Sequence, residues 1–197
     1  MLPAEQTRPD VVEARAAWRE RAPTLRPEDL VFVDECGVAT DLTRRYARAP
    51  RGQRAPGRVP YGKWTRLTVI GGLSLDGLIA PMSIPAACDT AVMVAFVRHV
   101  LVPVLRPGQV VVMDNLSVHK APRVRQLIEA AGCELLFLPA YSPDLSPIEP
   151  AWSKLKTLLR GMAAHTLDAL DAALTAVVDR ITPADAHGFL RHCGYAC

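Results

Sequence analysis

At 197 residues the chain is long enough for one domain with a sizeable buried core, and a balance of 50% hydrophobic to 22% charged residues is ordinary for a globular protein. No apolar run approaches the ~18 residues that a membrane-spanning helix needs, and Met1–Asp10 lacks the apolar centre of a secretory signal, so a cytoplasmic location is expected. The net charge of +3 is too small by itself to imply a nucleic-acid partner.

In chain order, residues 10–29 read as an N-terminal helix or linker interrupted by Pro23 and Pro27, set apart from a domain over 30–197. Leu30-Val-Phe-Val33 predicts a short strand buried on both faces, with Gly37 after it. Ala39–Trp64 then holds seven basic residues in 26 (Arg44, Arg45, Arg48, Arg51, Arg54, Arg58 and Lys63) against one acid, Asp41. Such a stretch is either a solvated loop or a surface for a phosphate backbone.

Leu67–Leu75 and Leu78–Ile84 predict a hairpin turning at Asp76-Gly77. Asp89 predicts the cap of a helix with Val92, Phe96, Val100 and Val104 on one face, ending by Pro107-Gly108. Val110–Met113 reads as a strand and Pro122–Gly132 as a helix with Val124, Leu127, Ile128 and Ala131 inward. Leu135–Leu138 reads as another strand, and from Pro147 onward the pattern is helical, clearest over Asp168–Ile181. A meander followed by strand–helix–strand units predicts an α/β mixed sheet of about five strands flanked by helices, an order that a ribonuclease-H-like fold shares with other α/β folds.

Two acids end the buried-strand runs, Asp34 after Leu-Val-Phe-Val and Asp114 after Val-Val-Val-Met. An ionised carboxylate beside an apolar strand is costly unless it is paired or holds a metal, and the crevice beyond strand ends is where open α/β sheets bind ligands. Alternation along the strand turns Glu35 to the opposite face from Asp34, as a bystander. Glu149 has two readings. Ser146-Pro-Ile-Glu149 matches a capping box, yet the helix that follows buries Ile148, Trp152, Leu155 and Leu159 while turning Glu149, Lys156 and Arg160 to an adjacent stripe. Trp152 is expected in the core, and Asp144 as a turn cap in its proline-bounded loop. Cysteines 36, 88, 133, 193 and 197 show no CxxC pair; His192, Cys193 and Cys197 fall short of the four ligands of structural zinc, so inert thiols are expected.

Val33-Asp-Glu-Cys-Gly37, Val112-Met-Asp-Asn-Leu-Ser-Val-His119 and Pro139-Ala-Tyr-Ser-Pro-Asp-Leu-Ser-Pro-Ile-Glu149 together resemble the three signature blocks of mariner-related bacterial insertion-sequence transposases, and 34 residues separate Asp114 from Glu149, as in that family's DD34E triad. Trp152-Ser-Lys-Leu-Lys156 and His192-Cys-Gly-Tyr195 are similar as well, so the resemblance runs from about Pro9 to the C-terminus. Three blocks in order with this spacing are far more specific than any one.

The resemblance implies a ribonuclease-H-like catalytic core that cuts DNA and joins the freed 3′-hydroxyl to a target. Asp34, Asp114 and Glu149 would hold two divalent cations, Mg2+ or in its place Mn2+, with Asp34 touching both. Asn115 and His119 are candidates for orienting water or phosphate, though a turn role for Asn115 and a plain loop role for His119 stay open. Arg44, Arg45, Arg48, Arg51, Arg54, Lys156 and Arg160 are the expected DNA contacts, to transposon ends and target alike, with a homodimer expected on DNA. The family's helix-turn-helix modules precede the core, but only 33 residues precede Asp34 here. Those modules are therefore expected to be absent, and an upstream DNA-binding chain or an intact transposase is the expected further partner. A nuclease without strand joining and a non-catalytic DNA-binding remnant are the alternatives.

Overall fold

The computed structural model describes residues 4–44 and 46–196; Arg45 and Cys197 lie outside the described residues. Helix α1 (Pro9–Arg21) leads into strand β1 (Leu30–Ala39), followed by β2 (Arg66–Ser74), β3 (Gly77–Ile84), α2 (Thr90–Phe96), β4 (Val110–Met113), α3 (Pro122–Ala130), β5 (Glu134–Phe137), α4 (Ile148–Met162), α5 (Leu167–Val178) and α6 (Pro183–His192). The strand order is β3-β2-β1-β4-β5, with β1, β4 and β5 parallel and β1, β2 and β3 antiparallel. The expected five-stranded mixed sheet is the one found.

The central strands are apolar on both faces because both are covered. Val31, Val33, Val111, Met113 and Leu135 face α2 and α3, whereas Phe32, Val112 and Leu136 face a second core built on α4, α5 and α6. Helix α1 packs into that second core through Trp18, and its Val11 is buried as well. No helix among the described residues is long and apolar enough to cross a membrane.

The structure departs from the sequence reading in several places. Strand β1 does not stop at Val33 but runs six residues further, to Ala39, because β2 pairs with all of Phe32–Ala39. The hairpin turns at Leu75-Asp76, one residue earlier than expected, and Ser74 Oγ accepts from the Asp76 N–H at 3.1 Å. Gly77 follows at φ 107°, where a Cβ would sit 2.4 Å from the Ile181 carbonyl oxygen, so only glycine fits. Asp89 does cap α2, its Oδ1 accepting from Val92 N at 2.8 Å. A π-turn over Val97–Leu101 then rotates the inward face to Met93, Phe96, Val97 and Leu101, leaving Val104 exposed.

Candidate active site

Parallel pairing of β1 with β4 ends at Val33 opposite Met113. Asp34 and Asp114 are therefore the next residues on neighbouring strands, which run roughly 4.8 Å apart, and alternation puts both on the same face. Asp34 is mid-strand toward β2 but sits at the ladder's end toward β4, and that end opens the crevice. Glu149 comes to the same crevice from the first turn of α4. A hollow of about 380 Å³ is lined by Asp34, Asp114, Asn115, Tyr141 and Glu149 among others.

The capping box, one of the two readings of Glu149, is not formed. Pro147 occupies the cap position of α4, no side chain caps the helix, and Ser146 offers Glu149 only its backbone carbonyl, at 3.1 Å. Pro147 already adopts helical angles, φ −63° and ψ −19°, so the helix begins one residue past Ser146 and its hydroxyl loses the cap geometry. The Glu149 side chain thus has no role in starting the helix. Glu149→Ala is expected to change folding stability by no more than about 1 kcal/mol, as read by denaturant titration. A loss of about 2 kcal/mol, the upper range for a lost cap, would restore the capping reading.

Electrostatics set the three acids against one another. Burial, reinforced by the charges of Glu35, Glu149 and Asp114, pushes the Asp34 carboxyl up to about 7 despite a hydrogen bond from the Glu35 N–H. Burial and Asp114 also raise Glu149, with Lys156 pulling the other way. Trp152 lies in the core as expected and adds an unforeseen contact, its Nε1–H donating to Asp34 Oδ2 at 3.2 Å. Gly71, the β2 partner of Asp34, lies against that indole, and a Cβ there would meet it at a tight 3.2 Å.

His119 is fully buried rather than a plain loop residue: Nδ1 is 2.5 Å from Asp114 Oδ1 and Nε2 is 3.0 Å from Glu35 Oε2. Burial lowers its pKa, but the hydrogen bonds it donates to the two carboxylates outweigh that and leave it up at about 9. An imidazolium with both N–H groups donating fits such a clamp. Glu35 does turn to the other face of β1, yet it is no bystander, because His119 binds it. Asn115 is exposed at the crevice.

Asp144 is not a turn cap either. It forms a two-pronged ion pair with Arg15 of α1, at 2.9 and 2.7 Å, and Arg15 also donates to Ser142 Oγ at 2.7 Å. Tyr195 extends the same support, accepting from Trp18 Nε1 at 3.1 Å and donating to the Leu145 carbonyl at 2.8 Å. The 142–145 segment leading to Glu149 is thus tied from behind by α1 and the C-terminal end. Burial pushes the thiols of Cys36 and Cys193 up to about 12 and that of Cys88 to about 11, in keeping with inert cysteines.

The basic stretch stands apart from the acids. Residues 42–65 hold no helix or strand among the described residues, and Arg44, Arg48, Arg51 and Arg54 are exposed. Arg44 and Arg160, joined by Arg180, line a separate hollow, whereas Lys156 is close enough to Glu149 to act on its charge.

Among the described residues, no three His, Cys, Asp or Glu side chains close around a single point as a ready-made metal cage. A pair of ions does not require one. Each would need two of these carboxylates, with water and phosphate oxygens filling the remaining positions, the usual arrangement for magnesium. A donor set of carboxylate oxygens alone selects such hard cations over zinc, and a cation would offset both the burial and the neighbouring charges that raise Asp34.

Fold and site together define a ribonuclease-H-like domain with clustered acids at the strand ends. Residues 29–171 match the model of the DDE superfamily endonucleases, and the chain belongs to that family. The Tc1 transposase of Caenorhabditis elegans is 39% identical over 62 residues, which is 32% of this chain and 23% of that protein. The Mos1 transposase in its paired-end complex with the left transposon end superposes with a TM-score of 0.71 at 18% identity, covering 98% of this chain and 62% of that one. The Mos1 catalytic domain solved with raltegravir and Mn gives 0.71 at 17% identity, covering 97% and 94%. The chain thus spans about 62% of the Mos1 chain in the DNA complex and nearly all of its isolated catalytic domain.

Proposed function

We propose that this chain cuts DNA strands and joins their 3′-hydroxyl ends to target DNA, with Asp34, Asp114 and Glu149 holding two divalent cations, Mg2+ or Mn2+. The observation that carries this reading is the convergence of the three family acids on one crevice. Asp34, which feels the charge of both other acids, is the residue expected to serve both cations, with Asp114 and Glu149 completing one site each. When bound, such a pair would activate the attacking oxygen and take up charge on the leaving oxygen of an in-line displacement at phosphorus. The chain's own residues bind and orient: Trp152 holds one oxygen of Asp34 and His119 one oxygen of Asp114. The partner is DNA, with two copies of the chain on it.

The test is a Mg2+-dependent assay that follows nicking of duplex DNA and joining of a pre-cut end to a target. Both activities are expected, and Asp34→Asn, Asp114→Asn and Glu149→Gln should each lower both by roughly 10³-fold, about 4 kcal/mol in barrier. Nicking without joining would identify a nuclease; DNA binding with neither activity would leave a non-catalytic binder.

Affinity should be steep in salt and weak in sequence preference, carried by the arginines of the 42–65 connection. Each phosphate contact removed should reduce the log–log salt slope by about 0.9 on duplex DNA. Arg44→Ala with Arg48→Ala is therefore expected to flatten it by nearly two units in a filter-binding titration. An unchanged slope would mean that these side chains face only solvent.

A further inference from the structure

Asp114 is gripped by one oxygen. Its Oδ1 accepts from His119 Nδ1 at 2.5 Å and from the Leu116 N–H at 2.9 Å. Among the described residues, no hydrogen bond reaches Oδ2. The ring that grips it is itself fixed: His119 has no exposed surface, and its far nitrogen is 3.0 Å from Glu35 Oε2. A rotation of the imidazole that released Asp114 would also strand the second N–H in a buried place, which is costly. Glu35 comes from β1, next to Asp34, but on the strand's opposite face. One strand therefore supplies the first acid directly and steadies the second from behind.

We propose that Glu35 and His119 are positioning residues for Asp114: the Glu35–His119–Asp114 chain locks Oδ1 and leaves Oδ2 as the oxygen that faces the crevice for a cation. This rests on the cation-holding reading of the triad. Partners that orient a ligand's second atom commonly change metal affinity by 10–100-fold when removed. Glu35 thus acts through His119 and touches neither substrate nor cation.

The test compares Glu35→Gln with Glu35→Thr in the full chain. Glutamine keeps an acceptor for the His119 N–H, whereas threonine suits a strand but is too short to reach it. Two readouts are needed: Mn2+ affinity by calorimetry without DNA, and amide hydrogen exchange at Leu116, whose N–H reports the Asp114 carboxylate without any metal. Glu35→Thr should weaken Mn2+ binding by roughly 10–100-fold and speed Leu116 exchange, while Glu35→Gln restores both to within about threefold of the parent. His119→Gln serves as the second variant and should behave like Glu35→Thr. Equal losses in the glutamine and threonine variants would show that Glu35 supplies only charge, and unchanged Leu116 exchange in Glu35→Thr would show that Asp114 is not held this way; either overturns the proposal. If the parent binds no Mn2+, the two-cation reading fails, while Leu116 exchange still decides whether the chain of three positions Asp114.

Discussion

Asp34→Asn is expected to stabilise the protein in metal-free buffer at pH 8, raising its melting temperature by roughly 5–10 °C, while removing its response to Mn2+. In the fold the Asp34 carboxyl is raised from 3.8 to about 7, above all by burial and then by Glu35, Glu149 and Asp114. The unfolded chain loses this proton near pH 3.8 and the folded chain only near 7, so the folded state binds the extra proton between those values. The contribution of Asp34 is therefore fully present below pH 3.8 and lost as pH rises to about 7, a change on the order of 4 kcal/mol at most. Asparagine has no such loss and still offers an oxygen to Trp152. The gap between variant and parent should open between pH 4 and 7 and stay constant above. Equal melting curves at pH 8 would mean that neither burial nor the neighbouring acids burden the Asp34 carboxylate.

The second large effect concerns the strut between α1 and the loop before Glu149. Arg15 exposes 8% of its side chain and Asp144 37%, so the two halves of the pair are not equivalent. Removing Asp144 leaves a buried guanidinium with only Ser142 Oγ, whereas removing the guanidinium leaves a carboxylate that water and Gln6 can still reach. Asp144→Ala is expected to cost about 3 kcal/mol, at the lower end for a broken buried pair. Arg15→Met, which keeps the apolar stem, should cost about 1 kcal/mol. Denaturant titration of both reads the difference; an Arg15→Met loss equal to or larger than that of Asp144→Ala would contradict this account.

How much was legible in the sequence depended on whether the determining contact was local. The helical stripes of α3 and α4 follow from periodicity, β4 from a short apolar run and the hairpin, to within one residue, from its turn dipeptide, because each of these signals is local. The continuation of β1 through Asp34-Glu-Cys-Gly37 was not legible: these residues break the apolar run, and only pairing with β2 keeps them extended. Beyond Phe96 the π-turn resets the helical phase and buries Val97 and Leu101 in place of Val100 and Val104, which the sequence does not mark. Ser146 and Glu149 had the spacing of a capping box, but Pro147 took the cap position.

The three acids were legible as strand ends and family blocks, while the groups that steady them were not. Alternation gave Glu35 its correct face, yet nothing in that pattern says that His119 meets it. Arg15 and Asp144 are 129 residues apart and Trp18 and Tyr195 are 177 apart, so no spacing announces either pair. An Asp-Glu pair on one strand with a histidine five residues after the second acid was the one available signal.

Whether Asp34, Asp114 and Glu149 form one two-cation centre is decided by anomalous diffraction from crystals of the chain with a pre-cut DNA end and Mn2+. Two peaks roughly 3.5–4 Å apart are expected, one shared by Asp34 and Asp114 and the other by Asp34 and Glu149, with Asp114 bound through Oδ2. Manganese held elsewhere, or held at Asp34 and Asp114 with Glu149 left unliganded, would contradict the account.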